Sequence, residues 1–310
     1  MRVLIICPNL EGGGEEFRVR RLAKFLIAKK IDVRILTKRG FYLLNDEFYH
    51  KTYFFRNLIF CFNTNIFAFK RWSLLPLFFL KYLNSNYYFN VANIYRGKKW
   101  LNFLMPSKNI ISISEYVHKS TMVIELGNDK YKKFNSNWKY NNTNSIEILW
   151  IGKDNWHKGF DLLLKLLNQY EKIRFNICGL FTQENIKFLS KIDNANFCGW
   201  VDDFSFFTKK NIIYIQTSNQ EGFPNVLVEN MQLGIPIIAS DVGASSEIIR
   251  GYGETFNKGN YIELCEKLNY CISNYKKIRK NSITGIEYAK NRFDEEKMLN
   301  SYFQLCNKKK

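Results

Sequence analysis

The sequence is poor in the residues from which metal and disulfide frameworks are built. Three histidines, His50, His118 and His157, stand far apart in 310 residues, and the seven cysteines (Cys7, Cys61, Cys178, Cys198, Cys265, Cys271 and Cys306) include no C-x-x-C pair. That set assembles neither a zinc framework nor a disulfide scaffold, and it predicts a reducing compartment. The chain opens directly into Arg2-Val3-Leu4-Ile5-Ile6-Cys7, without the pattern of a cleaved signal peptide. From Phe48 to Ser114 there is no Asp or Glu in 67 residues. Two uncharged runs of that stretch, Asn57–Phe69 and Trp72–Leu80, are 13 and 9 residues long, and a membrane-spanning helix needs about 20.

What is abundant is positive charge. Lys and Arg number 46 against 28 Asp and Glu, a formal charge of +18, so nucleic acid, an anionic membrane and a phosphorylated substrate are all candidate partners. The excess is uneven: residues 1–140 carry 24 basic and 9 acidic side chains, net +15, and residues 141–310 carry 22 and 19, net +3. The acid-free stretch holds nine of the cations and 19 of the 51 aromatic residues. Interleaved cations and aromatics suit a membrane interface, with Arg56, Lys70, Arg71, Trp72 and Lys81 as the contacting residues, on a chain that lies on a bilayer without crossing it. The alternative is an ordinary aromatic core beneath a solvated basic face. No helix-turn-helix, RNP or zinc-finger pattern accompanies the charge, which argues against nucleic acid.

Apolar periodicity predicts an α/β fold. Arg2–Cys7 reads as a buried strand, followed by Gly12-Gly13-Gly14, a helix over Glu15–Lys29 and a second strand at Asp32–Thr37. Asn109–Ser114 and Met122–Leu126 are further strand candidates. The Asn-rich Ser136–Ser145 is the best linker, so one domain is expected over 1–140 and another from 141. The second half alternates strands at Glu147–Ile151, Arg174–Cys178, Asn196–Cys198, Ile212–Gln216 and Pro236–Ser240 with helices at Phe160–Tyr170, Gln183–Ile192, Pro224–Leu233 and Tyr261–Lys280. Such alternation implies parallel sheets covered on both faces, with ligands at the carboxyl ends of the strands.

The most specific segment follows Ile212–Gln216: Glu221-Gly222-Phe223-Pro224-Asn225, then Glu229, then Met231-Gln232-Leu233-Gly234-Ile235-Pro236. Gly222 permits a tight turn, Pro224 suits a helix start and Gly234 a helix end. A helix N-terminus there offers unpaired N–H groups to a diphosphate, and Glu221 and Glu229 are two acceptors for hydroxyls of a polyol. The alternative for an isolated pair is that Glu221 only complements the helix dipole and Glu229 lies on a surface.

This segment resembles the E-x7-E signature of the retaining GT-B glycosyltransferases of family 4, the "group 1" glycosyltransferases, including those of cell-surface polysaccharide synthesis. A second match is Gly152-Lys153 followed by Lys158-Gly159, where the family usually has Gly-Arg and then Lys-Gly; a lysine at 153 keeps the charge but loses the bidentate fork. Weaker matches are Gly179, Gly199-Trp200-Val201, Gly243 and the loop Gly12-Gly13-Gly14.

The resemblance implies two Rossmann-like doubly wound domains facing a cleft, 1–140 for the acceptor and membrane and 141–293 for a nucleotide-sugar donor, with a C-terminal helix within 294–310 crossing back onto the first. It implies that Glu221 contacts the donor sugar and Glu229 the ribose, that Lys153 and Lys158 hold the diphosphate, and that Gly222, Phe223, Pro224 and Asn225 line the sugar and phosphates. Gly12, Gly13 and Gly14 would lie near the diphosphate, Gly179 beside the donor and Trp200 beside the base. The function implied is transfer of a hexose or N-acetylhexosamine from a nucleoside diphosphate sugar, UDP first among them, to a lipid-linked saccharide at the cytoplasmic leaflet. No cofactor or metal is expected, and the sequence has no Asp-x-Asp metal motif. Many relatives carry a histidine after a strand of the first domain, whereas Tyr88–Arg96 has none and His118 follows a different strand. A soluble transferase with a small acceptor, a sugar-nucleotide epimerase of the same fold and a polyanion-binding module are the alternatives.

Overall fold

The strand Ile212–Gln216 is buried along its whole length, as the middle of a sheet covered on both faces should be. Its side chains alternate between two cores, Ile212 and Tyr214 in one, Ile213 and Ile215 in the other. The computed structural model describes residues 1–8, 14–45, 48–52, 64–69, 73–80, 86–91, 107–114, 122–136 and 145–307. It contains two compact units: Met1–Gly127 joined by Glu295–Lys310, and Asn128–Asp294.

The first unit has strands β1 (Arg2–Ile6), β2 (Asp32–Thr37), β3 (Gly40–Asn45), β4 (Phe48–Thr52), β5 (Asn65–Phe69), β6 (Tyr87–Val91), β7 (Ile110–Ser112) and β8 (Met122–Val123), with helices α1 (Gly14–Ala28) and α2 (Leu74–Leu80). The sheet order is β4-β3-β2-β1-β5-β6-β7-β8. It is parallel except where β3 and β4 extend it antiparallel beyond β2. Part of the acid-free, aromatic stretch is therefore sheet: Phe67, Phe69, Tyr88 and Phe89 are core residues of β5 and β6. In α2 the opposite holds, with Leu75 and Phe79 about two thirds exposed at 66% and 64%.

The second unit has strands β9 (Glu147–Ile151), β10 (Phe175–Cys178), β11 (Ala195–Gly199), β12 (Ile212–Gln216), β13 (Ile237–Ser240) and β14 (Glu254–Phe256). All neighbours are parallel in the order β11-β10-β9-β12-β13-β14. That is the doubly wound order in which the chain reverses direction between its first and fourth strands. Its helices are α3 (Phe160–Gln169), α4 (Gln183–Leu189), α5 (Asn225–Gln232), α6 (Ser245–Ile249), α7 (Tyr261–Ser273) and α8 (Tyr275–Arg292). On one face α3 and α7 bury Leu163, Leu166, Leu264 and Leu268; on the other α5 buries Leu227, Val228 and Met231. The single helix expected over Tyr261–Lys280 is broken at Asn274, which leaves helical geometry at φ −114° and ψ 24°; its N–H and its side-chain amide both donate to Tyr270 O, at 3.0 and 2.9 Å, and cap the helix that ends there. The break turns Tyr275 inward, where its hydroxyl accepts from Ile212 N at 2.8 Å.

Helix α9 (Glu295–Asn307) belongs to the first unit. Met298, Leu299, Tyr302, Leu305 and Cys306 complete the core formed by Val3, Ile5, Phe67, Phe69 and Ile111. The Tyr302 ring meets Phe67 edge-on at 5.4 Å and its hydroxyl donates to the buried Asn90 Oδ1 at 2.5 Å.

The division between units falls at Gly127 and Asn128 rather than near residue 140. Residues 128–134 are fastened to the second unit: Asn128 N donates to Phe293 O at 2.8 Å, and the Tyr131 hydroxyl accepts from Phe204 N at 2.6 Å.

Candidate functional site

The reversal in the second sheet lies between β9 and β12, and the loops leaving their carboxyl ends hold the sequence-predicted residues. A buried side-chain relay joins these two loops. The Trp150 indole donates to Thr217 Oγ1 at 2.9 Å, and that hydroxyl lies 2.9 Å from the carbonyl oxygens of both Lys158 and Gly159. Asn219 adds a donation from its N–H to His157 O at 2.8 Å and one from its amide to Trp156 O at 2.7 Å. Gly159 is left-handed at φ 65°, and a Cβ there would stand 1.9 Å from Thr217 O, so only glycine allows the loops to approach this closely.

That approach delivers Lys158 to Glu221. The ammonium donates to Glu221 Oε1 at 2.5 Å, and Ser218 Oγ donates to the same oxygen at 2.7 Å. Ser218 is itself fixed by Ser240 Oγ, which donates to Ser218 O at 2.6 Å. Behind Glu221, Ala244 N donates to Gly222 O at 2.9 Å. Gly243, at φ 61°, passes so near that a Cβ would meet Glu221 O at 2.5 Å and Gly222 O at 2.6 Å.

The helix that follows begins at Asn225, with Pro224 in extended conformation at its N-cap. Glu229, one turn further, is covered by the segment entering the unit: Asn128 Nδ2 donates to Glu229 Oε1 at 3.2 Å and Lys130 Nζ lies 3.4 Å from Oε2. Both carboxylates act on Tyr214 beneath them; burial first, then the charges of Glu221 and Glu229, push its phenol well above the usual value. Two carboxylates thus act on one buried hydroxyl, with one lysine at each.

The remaining expected residues are distributed as follows. Phe223 is half-buried, its ring 5.8 Å from Phe293; Asn225 is half-buried. Gly179 follows β10, and its N–H donates to Gly199 O at 2.7 Å. Trp200 follows β11, 66% exposed, its indole donating to Asp202 Oδ1 at 2.6 Å. Lys153 is exposed and, unlike Lys158, has no ion-pair partner among the described residues. Its neighbour Asp154 braces the next loop, accepting from Thr182 N, Thr182 Oγ1 and Asn185 Nδ2 at 2.6–2.8 Å. Burial raises the Asp154 pKa, but these hydrogen bonds outweigh it and hold the carboxyl below its ordinary value. At the ends of β10 and β11, the Cys178 thiol lowers the Cys198 pKa to about 7 by hydrogen bonding. Gly14 opens α1 in the first unit. Gly12, Gly13, Arg56, Lys70, Arg71, Trp72, Lys81 and His118 lie outside the described residues.

Thr217, Ser218, Asn128 and Lys130 were not legible as site residues in the sequence. The first two adjoin Glu221 in a short polar run. Asn128 and Lys130 showed only turn composition after Gly127, about a hundred residues from the carboxylate they contact.

Comparison with known proteins identifies the family and the fold. Residues 132–290 match the family model described as glycosyl transferases group 1. A Klebsiella pneumoniae protein described as an uncharacterized 41.2 kDa protein in the cps region is 30% identical over 169 residues, 52% of this chain and 46% of that protein. The O-antigen biosynthesis glycosyltransferase WclY of Escherichia coli is 23% identical over 155 residues, 48% of this chain and 43% of WclY. The chain thus spans less than half the length of these curated relatives. Among solved structures, a glycosyltransferase from Rickettsia africae superposes with a TM-score of 0.76 at 17% identity, covering 98% of this chain and 97% of that one. Anabaena HepE in complex with UDP and glucose gives 0.68 at 16% identity, covering 98% of each. With the two doubly wound sheets and the returning C-terminal helix, these likenesses establish the GT-B fold.

Proposed function

The chain belongs to the group 1 glycosyl transferases, and from that membership we propose that it transfers a hexose or N-acetylhexosamine from a nucleoside diphosphate sugar to a saccharide acceptor. The observation that carries the proposal is the pairing of Lys158 with Glu221 on the loops of β9 and β12, with Glu229 one helical turn beyond. A diphosphate leaving a sugar develops negative charge, which a fixed ammonium and the N-terminal N–H groups of Asn225–Gln232 stabilise electrostatically. Glu221 accepts from a hydroxyl of the transferred sugar, and Glu229 accepts from the ribose. Lys153, exposed in the same loop, is a second cation for the diphosphate. Lys158 supplies the charge that a metal ion supplies elsewhere, so transfer is metal-independent.

UDP is the proposed nucleotide, supported by the structural likeness to a protein solved with UDP. Retention at the anomeric carbon follows the family pattern: the bond from C1 to the phosphate oxygen breaks, a bond to the acceptor oxygen forms on the same face, and the acceptor proton passes to the departing phosphate. A lipid-linked acceptor in cell-surface polysaccharide synthesis is supported by the likeness to an O-antigen enzyme. A peripheral membrane position, on the cytoplasmic leaflet, is supported by Leu75 and Phe79 exposed on α2 within the acid-free basic stretch. No helix among the described residues is long and apolar enough to cross a membrane.

A thermal-shift screen of UDP-, GDP- and ADP-sugars tests the reading. A donor at 100 times its Kd stabilises the native state by about 2.7 kcal/mol, raising the Tm by about 5–10 °C for a unit of this size. Glu229→Ala, weakening the donor about tenfold, should cut that stabilisation to about 1.4 kcal/mol and so roughly halve the shift. No shift with any nucleotide sugar would refute the proposal.

A further inference from the structure

We propose that Asn128 is a positioning residue for Glu229, holding the carboxylate in the one orientation that reads a pair of neighbouring hydroxyls. The inference rests on the nucleoside diphosphate sugar reading above and extends it to a residue outside the E-x7-E segment.

Asn128 is 7% exposed and every polar group it has is engaged. Its N–H donates to Phe293 O at 2.8 Å and its carbonyl accepts from Gln232 Nε2 at 2.5 Å. Its side-chain Oδ1 accepts from Lys130 N at 3.1 Å, and Nδ2 donates to Glu229 Oε1 at 3.2 Å. Gln232 is fully buried and its Oε1 accepts in turn from Tyr131 N at 3.3 Å. Glu229 and Gln232 stand three apart on one face of α5, as helical spacing requires, and the turn 128–131 is bolted across that face. The backbone of Asn128 is thus immobilised from two directions, and its amide is a fixed reference point from which Glu229 is aimed.

The chemistry of the carboxylate identifies what it is aimed at. An ionised carboxylate has about four acceptor positions, two on each oxygen. One position on Oε1 is taken by the Asn128 amide, and Lys130 Nζ stands 3.4 Å from Oε2, over the rings of Tyr131 and Phe204 at 5.3 and 5.0 Å. One acceptor position remains on each oxygen. Two acceptors on one carboxylate, one per oxygen, suit the two adjacent O–H donors of a vicinal diol, the group a ribose presents at its 2′ and 3′ positions. A glutamate left to its own three side-chain rotors would have to order itself on each binding event; Asn128 does so in advance.

The test uses the full chain and compares UDP, GDP and ADP with their 2′,3′-dideoxy counterparts by isothermal titration calorimetry, on the wild type, Asn128→Ala and Asn128→Asp. Asn128→Asp keeps the oxygen that accepts from Lys130 and both backbone bonds while placing a second carboxylate against Glu229, so it serves if the alanine variant fails to fold. The wild type should prefer the ribonucleotide that binds over its dideoxy form by at least about tenfold. Both variants should lose about five- to tenfold in affinity for the ribonucleotide while affinity for the dideoxy form stays within about twofold. A variant that weakens both forms equally, or leaves the preference intact, overturns the positioning role while Glu229 keeps its own. A wild type that binds nucleotides without preferring the ribose overturns the Glu229 assignment and this inference with it. Failure of all three diphosphates to bind overturns the proposed function itself.

Discussion

Replacing Gly243 with alanine should disable the site from behind without touching any of its polar side chains. The added Cβ would meet Glu221 O at 2.5 Å and Gly222 O at 2.6 Å, where ordinary contact begins near 3.4 Å, so one chain must retreat by 0.8–0.9 Å. The residue also sits at φ 61°, which costs an L residue about 1–2 kcal/mol. Strain and displacement together should lower stability by about 2–4 kcal/mol, a fall in Tm of about 5–15 °C for a unit of this size. A displacement near 1 Å at a reacting centre costs up to about a hundredfold in rate. Gly251→Ala is the matched control, because Gly251 is left-handed at φ 83° but has nothing within 4 Å of its Cβ; it isolates the backbone strain. Calorimetric melting and nucleoside diphosphate release from the donor read both effects. If Gly243→Ala melted no lower than Gly251→Ala and turned over like wild type, the account of the Glu221 loop would be wrong.

Lys158→Met and Glu221→Gln should each lower transfer at least about tenfold, about 1.4 kcal/mol of transition-state stabilisation, with wild-type turnover in either variant refuting the assignment. The stability cost of Glu221→Gln should stay below about 1 kcal/mol, because the lysine it leaves unpaired is 30% exposed, whereas Lys158→Met strands a carboxylate only 13% exposed and should cost more. Tyr302→Ala should cost the first unit about 3–5 kcal/mol and leave the melting of Asn128–Asp294 in place; a uniform loss in both units would contradict the assignment of α9. The Asp154 carboxyl is held below its ordinary value, so it contributes stability above about pH 4 that disappears as the pH falls. Asp154→Asn should therefore have a urea midpoint that changes less between pH 5 and pH 3 than the wild type, and parallel curves would show that the Thr182 and Asn185 contacts do not stabilise the ionised form.

Where sequence and structure agree, short-range chemistry decides. The run Ile212–Gln216 is apolar and brief, Gly222 and Pro224 punctuate the turn, and Glu221 and Lys158 lie in the loops that such strands must have. Composition could not divide the aromatic stretch between core and surface: Phe67 and Phe89 entered strands while Leu75 and Phe79 stayed exposed, and the difference depends on which neighbours the sheet supplies. The Asn-rich 136–145 reads as a linker by its residues, yet the chain is anchored earlier, at Asn128, by contacts with Phe293 and Glu229 that no local pattern encodes. Asn274 interrupts a helix whose apolar periodicity runs on through it: its backbone leaves helical geometry, and its N–H and side-chain amide cap the Tyr270 carbonyl together.

The return of α9 to the first unit has a consequence for biosynthesis. When Gly127 leaves the ribosome, the sheet of the first unit still lacks Met298, Leu299, Tyr302, Leu305 and Cys306. Translation at about 5–20 residues per second leaves that apolar face uncovered for roughly 10–35 s, while the contiguous second unit emerges and folds. The nascent protein therefore completes its later half first, and its earlier half is the part that needs chaperone cover until the last helix arrives.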